Sequence, residues 1–570
     1  MLQEVRPILT SFLFLSISSL ALHGQRVVMV SFDGLGYQAL TTEPVAQELT
    51  VLRDTAAHGA ISAGMQAAFP STTANSHAAL WTGCYGDVNH IATNNPPILP
   101  RAAHTILERG NGFLSTQLDS EAIWVTAARQ GRSAVAHQPT QGYPFTPMNS
   151  GHGAVVLNGY QTRLLAPHGL FTPKNTGVLP DGAIQIKHGP LSLRAERRSG
   201  GLRVSLAGSK EFVDVRPAPV ETELPRRRPL ARYFSAGLSI AQPVPAVLYF
   251  RLFELSPSTF RLYVSPLQEL GMTETLPALF HDAGGFIGNG PEALMQQGGL
   301  SEPEYLEAVE LVIRQLTRHA AWLHAHYQPR FLQSYLPFPD EFEHAWLGRA
   351  RNGDKAVDQY RRWGYIAVNR GAADFARLAR KSDHLLWVSD HGMAPVTRYV
   401  SIHQVLKQAG LGDKAVYLYN SILVNTMDWK GGTVTPADRP KVVEQARQAL
   451  AATQENGKPV FTSFFTPEHD GAKYGIGGPA GGDLYFDLAP GYAASGRPNP
   501  AIFDANTKPR GVHGFLPTRS DMLAICILRG PRIKPATKWP QLRSIQIAPL
   551  ISDLLGIAPP PNAKAPSPIR

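Results

Sequence analysis
Two periodicities divide the chain. Residues Val27–Phe32 (VVMVSF) and 385–389 (LLWVS) are unbroken β-branched and apolar runs, which predict strands buried on both faces of a parallel sheet. Helical patterns over 304–326, 354–381 and 439–453 alternate with such runs, and that alternation predicts an α/β fold whose helices sandwich a mostly parallel sheet. The middle differs. From 156 to 275 the chain shows short alternating segments (AIQIKH, LSLRAE, LRVSLAG, AVLYFRLFEL, FRLYVS) parted by Gly, Pro and Ser, with no long helical pattern. We read this as a β-rich insert. The expected organisation is a leader over 1–24, a catalytic α/β core over 25–155, the insert over 156–275 and the rest of the core over 276–570.

The ends carry their own patterns. Residues 1–24 pair Arg6 with a 15-residue apolar stretch from Ile8 to Leu22 and small residues near Ala21 and Gly24. This predicts a cleaved export signal and a periplasmic or extracellular protein, an uncleaved N-terminal anchor being the alternative. No transmembrane segment is expected after cleavage. The tail from Pro559 (PPPNAKAPSPI) reads as an extended, mobile end.

Composition narrows the picture. With 570 residues, 43% apolar and 17% charged, the chain is too large for one minimal domain and too apolar for a disordered one. Two cysteines, Cys84 and Cys526, exclude a disulfide scaffold and a Cys-rich metal module. The net charge of +10 fits anionic partners such as phosphate esters, nucleic acid or lipid, and equally a basic protein with none.

Four short patterns carry chemistry. Two apolar runs end in Asp33-Gly34 and in Asp390-His391-Gly392, at the carboxyl ends of strands, where α/β sheets place their sites. Each Asp could instead cap a helix. Phe69-Pro-Ser-Thr-Thr-Ala-Asn-Ser-His77 sets hydroxyls at a helix start, either as a plain N-cap or as a place to hold a phosphate. Asp340 and His344 are four apart, which suits two metal ligands or a surface pair. His513 lies between glycines in Gly511-Val-His-Gly, a loop residue or a site residue.

In this order the patterns resemble the alkaline phosphatase superfamily, and most closely its type I phosphodiesterase/nucleotide pyrophosphatase family. That family opens with a strand ending in Asp-Gly and then has a Pro-containing segment with a nucleophilic Thr and a His four residues on. Thr-Gly and Asn follow, then Asp-x-x-x-His, Asp-His-Gly and a C-terminal His-Gly. Here these fall on Asp33, Thr73 with His77, Thr82-Gly83 with Asn94, Asp340 with His344, Asp390-His391-Gly392, and His513-Gly514. Ile123-Trp-Val-Thr-Ala127 resembles a core strand of the family, and 521–531 and 547–556 resemble its closing strand and helix.

The resemblance implies a hydrolase of phosphodiesters or nucleotide pyrophosphates with two Zn²⁺ per chain. One ion would be held by Asp340, His344 and His513, the other by Asp33, Asp390 and His391 beside Thr73. Thr73 would attack phosphorus and form a phospho-threonine, and Asn94 with the Thr73 N–H would bind the non-bridging oxygens. The alternatives are a phosphomonoesterase, or a phospho-head-group transferase on the same residues. The nucleophile segment departs from the family's Pro-Thr-Lys-Thr-(aromatic)-Pro-Asn-His, with Thr72 in place of the Lys. Ser71 and Thr72 are therefore alternative nucleophiles, though register favours Thr73, and spacing favours Asn94 over Asn95. The partner is a small-molecule phosphate ester, with no specific nucleic-acid binding, and oligomeric state is not encoded in these patterns.

Overall fold
The protein, described here from a computed structural model, is followed over residues 26–160, 162–221, 237–273, 277–496, 499–504 and 508–569. The predicted leader 1–24 and the basic cluster Arg226–Arg228 lie outside the described residues.

A nine-stranded sheet forms the centre. Its strands are β1 (Val27–Phe32), β2 (Ala60–Ser62), β3 (Ala134–His137), β4 (Val155–Asn158), β5 (Gly271–Met272), β6 (Phe331–Leu336), β7 (His384–Ser389), β8 (Cys526–Arg529) and β9 (Thr537–Trp539). They lie in the order β5-β4-β3-β6-β1-β7-β8-β2-β9. The five strands β4-β3-β6-β1-β7 are mutually parallel, and β5 and β8 run against their neighbours. Both faces are covered, which is why β1 reads as an unbroken apolar run. Val28, Val30 and Phe32 enter one core, and Val27 and Met29 enter the other. Helices α3 (Glu302–Tyr327), α4 (Asp340–Arg351) and α5 (Lys355–Ala376) cover the first face, whereas α1 (Thr73–Thr82), α2 (Ile123–Arg129) and α6 (Ile547–Leu555) cover the second.

Three local expectations change. Residues 123–127, expected as a core strand, form helix α2, and the next strand of the sheet is β3, which starts at Ala134. A short, wholly buried apolar run has no periodicity that separates helix from strand. The tail is not a free end. Ala563 is buried against Gly83, Asn562 donates to the Ser120 hydroxyl at 2.8 Å, and Gln546 donates to the Pro566 carbonyl at 3.0 Å. Gly83 permits that approach, because it ends α1 at φ 72° and a Cβ there would stand 2.5 Å from the Ala563 methyl. Strand β4 straddles the start of the predicted insert, so the chain leaves the main sheet at Asn158 and rejoins the same edge at Gly271, opposite Asn158.

Between these points lie a five-stranded antiparallel sheet, built from Gly177–Val178, Ile184–His188, Leu191–Arg198, Gly201–Leu206 and Phe212–Val215, and smaller sheets. They share a core of their own. This β-rich part is tied to α3 by the fully buried pair Arg251–Glu307 (2.7 Å) and by Arg261–Glu304 (2.9 Å). A second excursion, from Ala394 to Val512, also has its own core. It leaves and returns side by side, with Ala394 opposite Val512 in an antiparallel pair.

Helix α4 is anchored by charge as well as packing. Arg361 of α5 forms a two-pronged bond with Glu343 of α4 (2.8 and 2.7 Å) and reaches Glu43 at 3.1 Å, with all three side chains buried or nearly so. Removing the cation would strand the buried Glu343, whereas Glu43 would keep Arg351 at 2.9 Å. Arg361→Leu is expected to cost about 3–5 kcal/mol, read as a lowered midpoint of chemical unfolding, and an unchanged midpoint would refute the anchoring role.

Candidate active site
The site is assembled from chain ends that the sheet brings together. The register pairs Phe32 with Leu336 on one side and with Ser389 on the other. The next residue of each strand therefore emerges on the same edge, which sets Asp33 beside Asp390 and leads β6 through Pro337–Pro339 to Asp340, the first residue of α4. Gly34 (φ 68°) accommodates the crossing, since a Cβ there would stand 2.8 Å from the Asp340 Cβ. His391 follows Asp390, and its N–H donates to Asp390 Oδ1 at 2.9 Å. The second excursion starts after His391 and ends before His513, so its paired ends stack the two imidazoles with centroids 3.9 Å apart. Helix α4 places His344 one turn after Asp340, with Nε2 to Oδ2 at 3.3 Å.

Thr73 is the first residue of α1, where N–H groups lack helical acceptors. Its Oγ1 lies 3.2 Å from His391 Nε2 and 3.5 Å from Asp33 Oδ1. The two other hydroxyls of the segment are engaged elsewhere: Ser71 donates to the Phe515 carbonyl and Thr72 to Asn75 Oδ1. The Ala74 N–H donates to Asn94 Oδ1 at 2.8 Å, which leaves the Asn94 amide N–H₂ as its free donor in the same cavity. Asn95 instead accepts from the Tyr419 hydroxyl. The structure thus brings together Asp33, Thr73, Asn94, Asp340, His344, Asp390, His391 and His513.

The imidazoles are held in one tautomer. Nδ1 of His344, His391 and His513 lies 2.8, 2.9 and 2.9 Å from the carbonyls of Gly511, Gly392 and Ser71. A carbonyl only accepts, so each Nδ1 carries the proton and each Nε2 is the atom turned to the carboxylates. Nε2 of His391 lies 3.1 Å from Asp390 Oδ2 and 3.5 Å from Asp33 Oδ1, and Nε2 of His513 lies 3.7 Å from Asp340 Oδ1. Ligand atoms of Asp340, His391 and His513 all lie within 4.8 Å of one another, so His391 stands at the junction of the two expected ligand sets. His77 joins Asp33 and Asp390 in a similar cluster. Its Nδ1 donates to the Thr73 carbonyl at 3.0 Å and its Nε2 accepts from the Ser31 hydroxyl at 2.8 Å, so both nitrogens are spent and the ring braces the start of α1. Tyr335, on β6, donates to Asp33 Oδ2 at 2.6 Å.

These groups fit a cation site. Asp390 Oδ2 and Asp340 Oδ1 are buried with no hydrogen-bond partner. Among the described residues lining the cavity, of about 380 Å³, there is no lysine or arginine. Burial, then the charges of Asp390 and Asp340, hold the Asp33 carboxyl well above the ordinary range. Burial and Asp340 push Asp390 up to about 8. Burial lowers His513 to about 4 and, with His513 beside it, holds His391 far below its ordinary value. His344 is pushed down by burial but lifted further by Asp340, to about 9. Carboxylates that take up protons when buried together, facing imidazole lone pairs, form a hard and borderline donor set suited to Zn²⁺.

A profile of the type I phosphodiesterase/nucleotide pyrophosphatase family matches residues 27–175 and 289–516. The chain belongs to that family. It is therefore an enzyme of the alkaline phosphatase superfamily, a hydrolase of phosphodiester or phosphoanhydride bonds. The stretch between the two matched segments is most of the β-rich excursion. Solved structures with a similar fold include murine ectonucleotide pyrophosphatase/phosphodiesterase 5, at 12% identity, 94% coverage of this chain, 96% of that one and a TM-score of 0.48. An inactive threonine-to-alanine variant of the murine protein in complex with AMP gives the same identity and coverages with a TM-score of 0.49. The human counterpart gives 15%, 94%, 96% and 0.47. No curated protein sequence matches the chain. Among the described residues no helix is long and apolar enough to cross a membrane.

The residues brought together here were visible in the sequence as separate motifs. Tyr335 and the Ser31–His77 brace were not, because both Tyr335 and Ser31 sit inside strands that read as core. The titrations fix a sign. From pH 7 to 9 Asp390 (about 8) and His344 (about 9) keep protons that the unfolded chain, with values near about 3.9 and 6.5, has already released. The folded state then binds more protons, so stability falls as pH rises. Metal-stripped protein should lose thermal stability across this window, and Asp390→Asn should flatten the loss. A melting temperature rising with pH over that window would contradict the assignment.

Proposed function
We propose that the protein cleaves phosphodiester or phosphoanhydride bonds in two steps through a phospho-threonine on Thr73, with two zinc ions as cofactors. The observation that carries this reading is the position of Thr73 Oγ1, at the first turn of α1 and 3.2 Å from the inward-facing Nε2 of His391. Asp340, His344 and His513 would hold one ion, and Asp33, Asp390 and His391 the other beside Thr73. When bound, such ions supply Lewis acidity that lowers the pKa of a hydroxyl or water and offsets charge on phosphoryl oxygens.

The chain's own residues do the rest. Helix α1 presents Thr73 to the cavity, and the His77–Ser31 bond fixes its first turn. The Thr73 N–H and the Asn94 amide N–H₂ point donors at the non-bridging oxygens. The Oγ1–P bond forms as the ester bond to the leaving group breaks, and the leaving oxygen takes a proton. Water then attacks the same phosphorus, the Oγ1–P bond breaks and Thr73 regains its hydroxyl. Tyr335 steadies Asp33 throughout. A monoester would bring a second negative charge, and the absence of lysine and arginine among the described cavity residues favours a diester.

Thr73→Ala should abolish turnover of bis(4-nitrophenyl) phosphate and keep two zinc ions per chain by elemental analysis. Asn94→Ala should lower kcat by about 10²–10³. The wild type should prefer that diester over 4-nitrophenyl phosphate. Full turnover by Thr73→Ala, or a clear monoester preference, would overturn the reading.

A further inference from the structure
A second and larger cavity adjoins the catalytic one. It encloses about 980 Å³, against about 380 Å³ for the cavity of Thr73, and the two share no lining residue. Neighbouring residues of three elements face opposite cavities. His344 of α4 lines the catalytic cavity and Ala345 the outer one. Ala293 and Met295 of the short helix Glu292–Gln296 divide in the same way, as do His513 and Arg510 around the strand Arg510–Val512. Arg510 is the side chain that reaches both. It lines the outer cavity, yet its Nε donates to the His344 carbonyl at 3.4 Å and its Nη2 lies 3.5 Å from Oε1 of Glu292, a residue of the catalytic cavity. The carbonyl of the next residue, Gly511, is the one that fixes the His344 tautomer.

The outer cavity has the chemistry of an anion site. Arg349, Lys508 and Arg510 line it against the carboxylates of Glu302 and Asp504. Arg349 is neutralised by Glu302 at 3.3 Å and Asp354 at 2.9 Å. Arg510 holds Glu292 only at the long limit of a hydrogen bond. Lys508 has no ion-pair or hydrogen-bond partner among the described residues. Pro509 biases the residue before it towards an extended backbone, and alternate residues of an extended chain project to one side, so Lys508 and Arg510 reach the cavity together. Tyr399 and Tyr417 add aromatic faces. Gly496 makes room for the second ring, since a Cβ there would stand 2.8 Å from Tyr417 Cδ1. Cations beside tyrosine rings, in a space of this size, fit an anion carried on a flat apolar body better than a bare ion.

We propose that the outer cavity is a second binding site, for an aromatic phosphate monoester, with Lys508 and Arg510 on the phosphate and Tyr399 and Tyr417 against the ring. This is the class of product that cleavage of an aromatic phosphodiester yields, and the choice of ligand rests on the diesterase reading above. Arg510 cannot serve a bound phosphate and keep its present acceptors unchanged. Occupancy therefore loosens its hold on Glu292 and on the His344 carbonyl, and turnover falls without the catalytic cavity being filled. Product restrains its own formation through a site that substrate does not use.

The test uses phenyl phosphate and the zinc-loaded enzyme. With bis(4-nitrophenyl) phosphate as substrate, saturating phenyl phosphate should lower kcat by about twofold or more as well as raise KM. A ligand confined to the catalytic cavity raises KM alone. Lys508→Glu should leave kcat and KM unchanged in the absence of phenyl phosphate and make the inhibition purely competitive. By calorimetry the wild type should bind one more phenyl phosphate per chain than Lys508→Glu. Inorganic phosphate should fill that extra site about tenfold or more weakly, for want of a ring to bury. Purely competitive inhibition of the wild type would overturn the proposal without any variant. An equal number of sites in wild type and Lys508→Glu, or inorganic phosphate bound there as tightly as phenyl phosphate, would overturn it as well. Failure to hydrolyse bis(4-nitrophenyl) phosphate would sink the diesterase reading alone, because the calorimetric difference reads the outer cavity independently.

Discussion
Asp33 and Asp390, buried side by side without a counter-cation next to the Asp340–His344 pair, are the constraint on which this molecule turns. Asp33, Asp340 and Asp390 cannot all be charged in an apolar interior unless something positive joins them. The protein offers no lysine or arginine among the described residues lining that cavity. It offers three imidazoles instead, each with Nδ1 locked to a backbone carbonyl and Nε2 turned inward. Such an arrangement is poor for stability on its own and good for holding divalent metal. The raised carboxyl values of Asp33 and Asp390 are the signature of that imbalance.

The fold exists, in large part, to deliver those groups to one point. Parallel neighbours β1, β6 and β7 end in step, so the residues after them emerge together. The two excursions leave this arrangement intact because each departs and returns at adjacent positions. One opens and closes on the β4–β5 edge, far from the aspartates in strand order. The other opens after His391 and closes before His513, so its own pairing sets the distance between the two imidazole rings. Packing thus fixes site geometry directly, and the Arg361–Glu343 pair that holds α4 serves the same end.

Much of this was legible in the sequence, for identifiable reasons. Strands buried on both faces have no polar positions, so Asp33 and Asp390 stood out as the points where such runs stop. The four-residue spacing of Asp340 and His344 is a helical signature that survives without any context. What was hidden depends on long-range contact. Residues 123–127 are apolar throughout, and burial on every side erases the period that would mark a helix. The proline-rich tail looked unfettered because its docking depends on Gly83, hundreds of residues away. Tyr335 and Ser31 looked like strand filler, and only the sheet register reveals that they support Asp33 and His77.

The most direct test of the central claim is anomalous diffraction at the zinc edge from crystals of the zinc-loaded protein. The account predicts two peaks per chain, bonded to Nε2 and not Nδ1 of His344, His391 and His513, and to carboxylate oxygens of Asp33, Asp340 and Asp390. Peaks elsewhere, coordination through Nδ1, or zinc bound by His77 in place of His391 would contradict it.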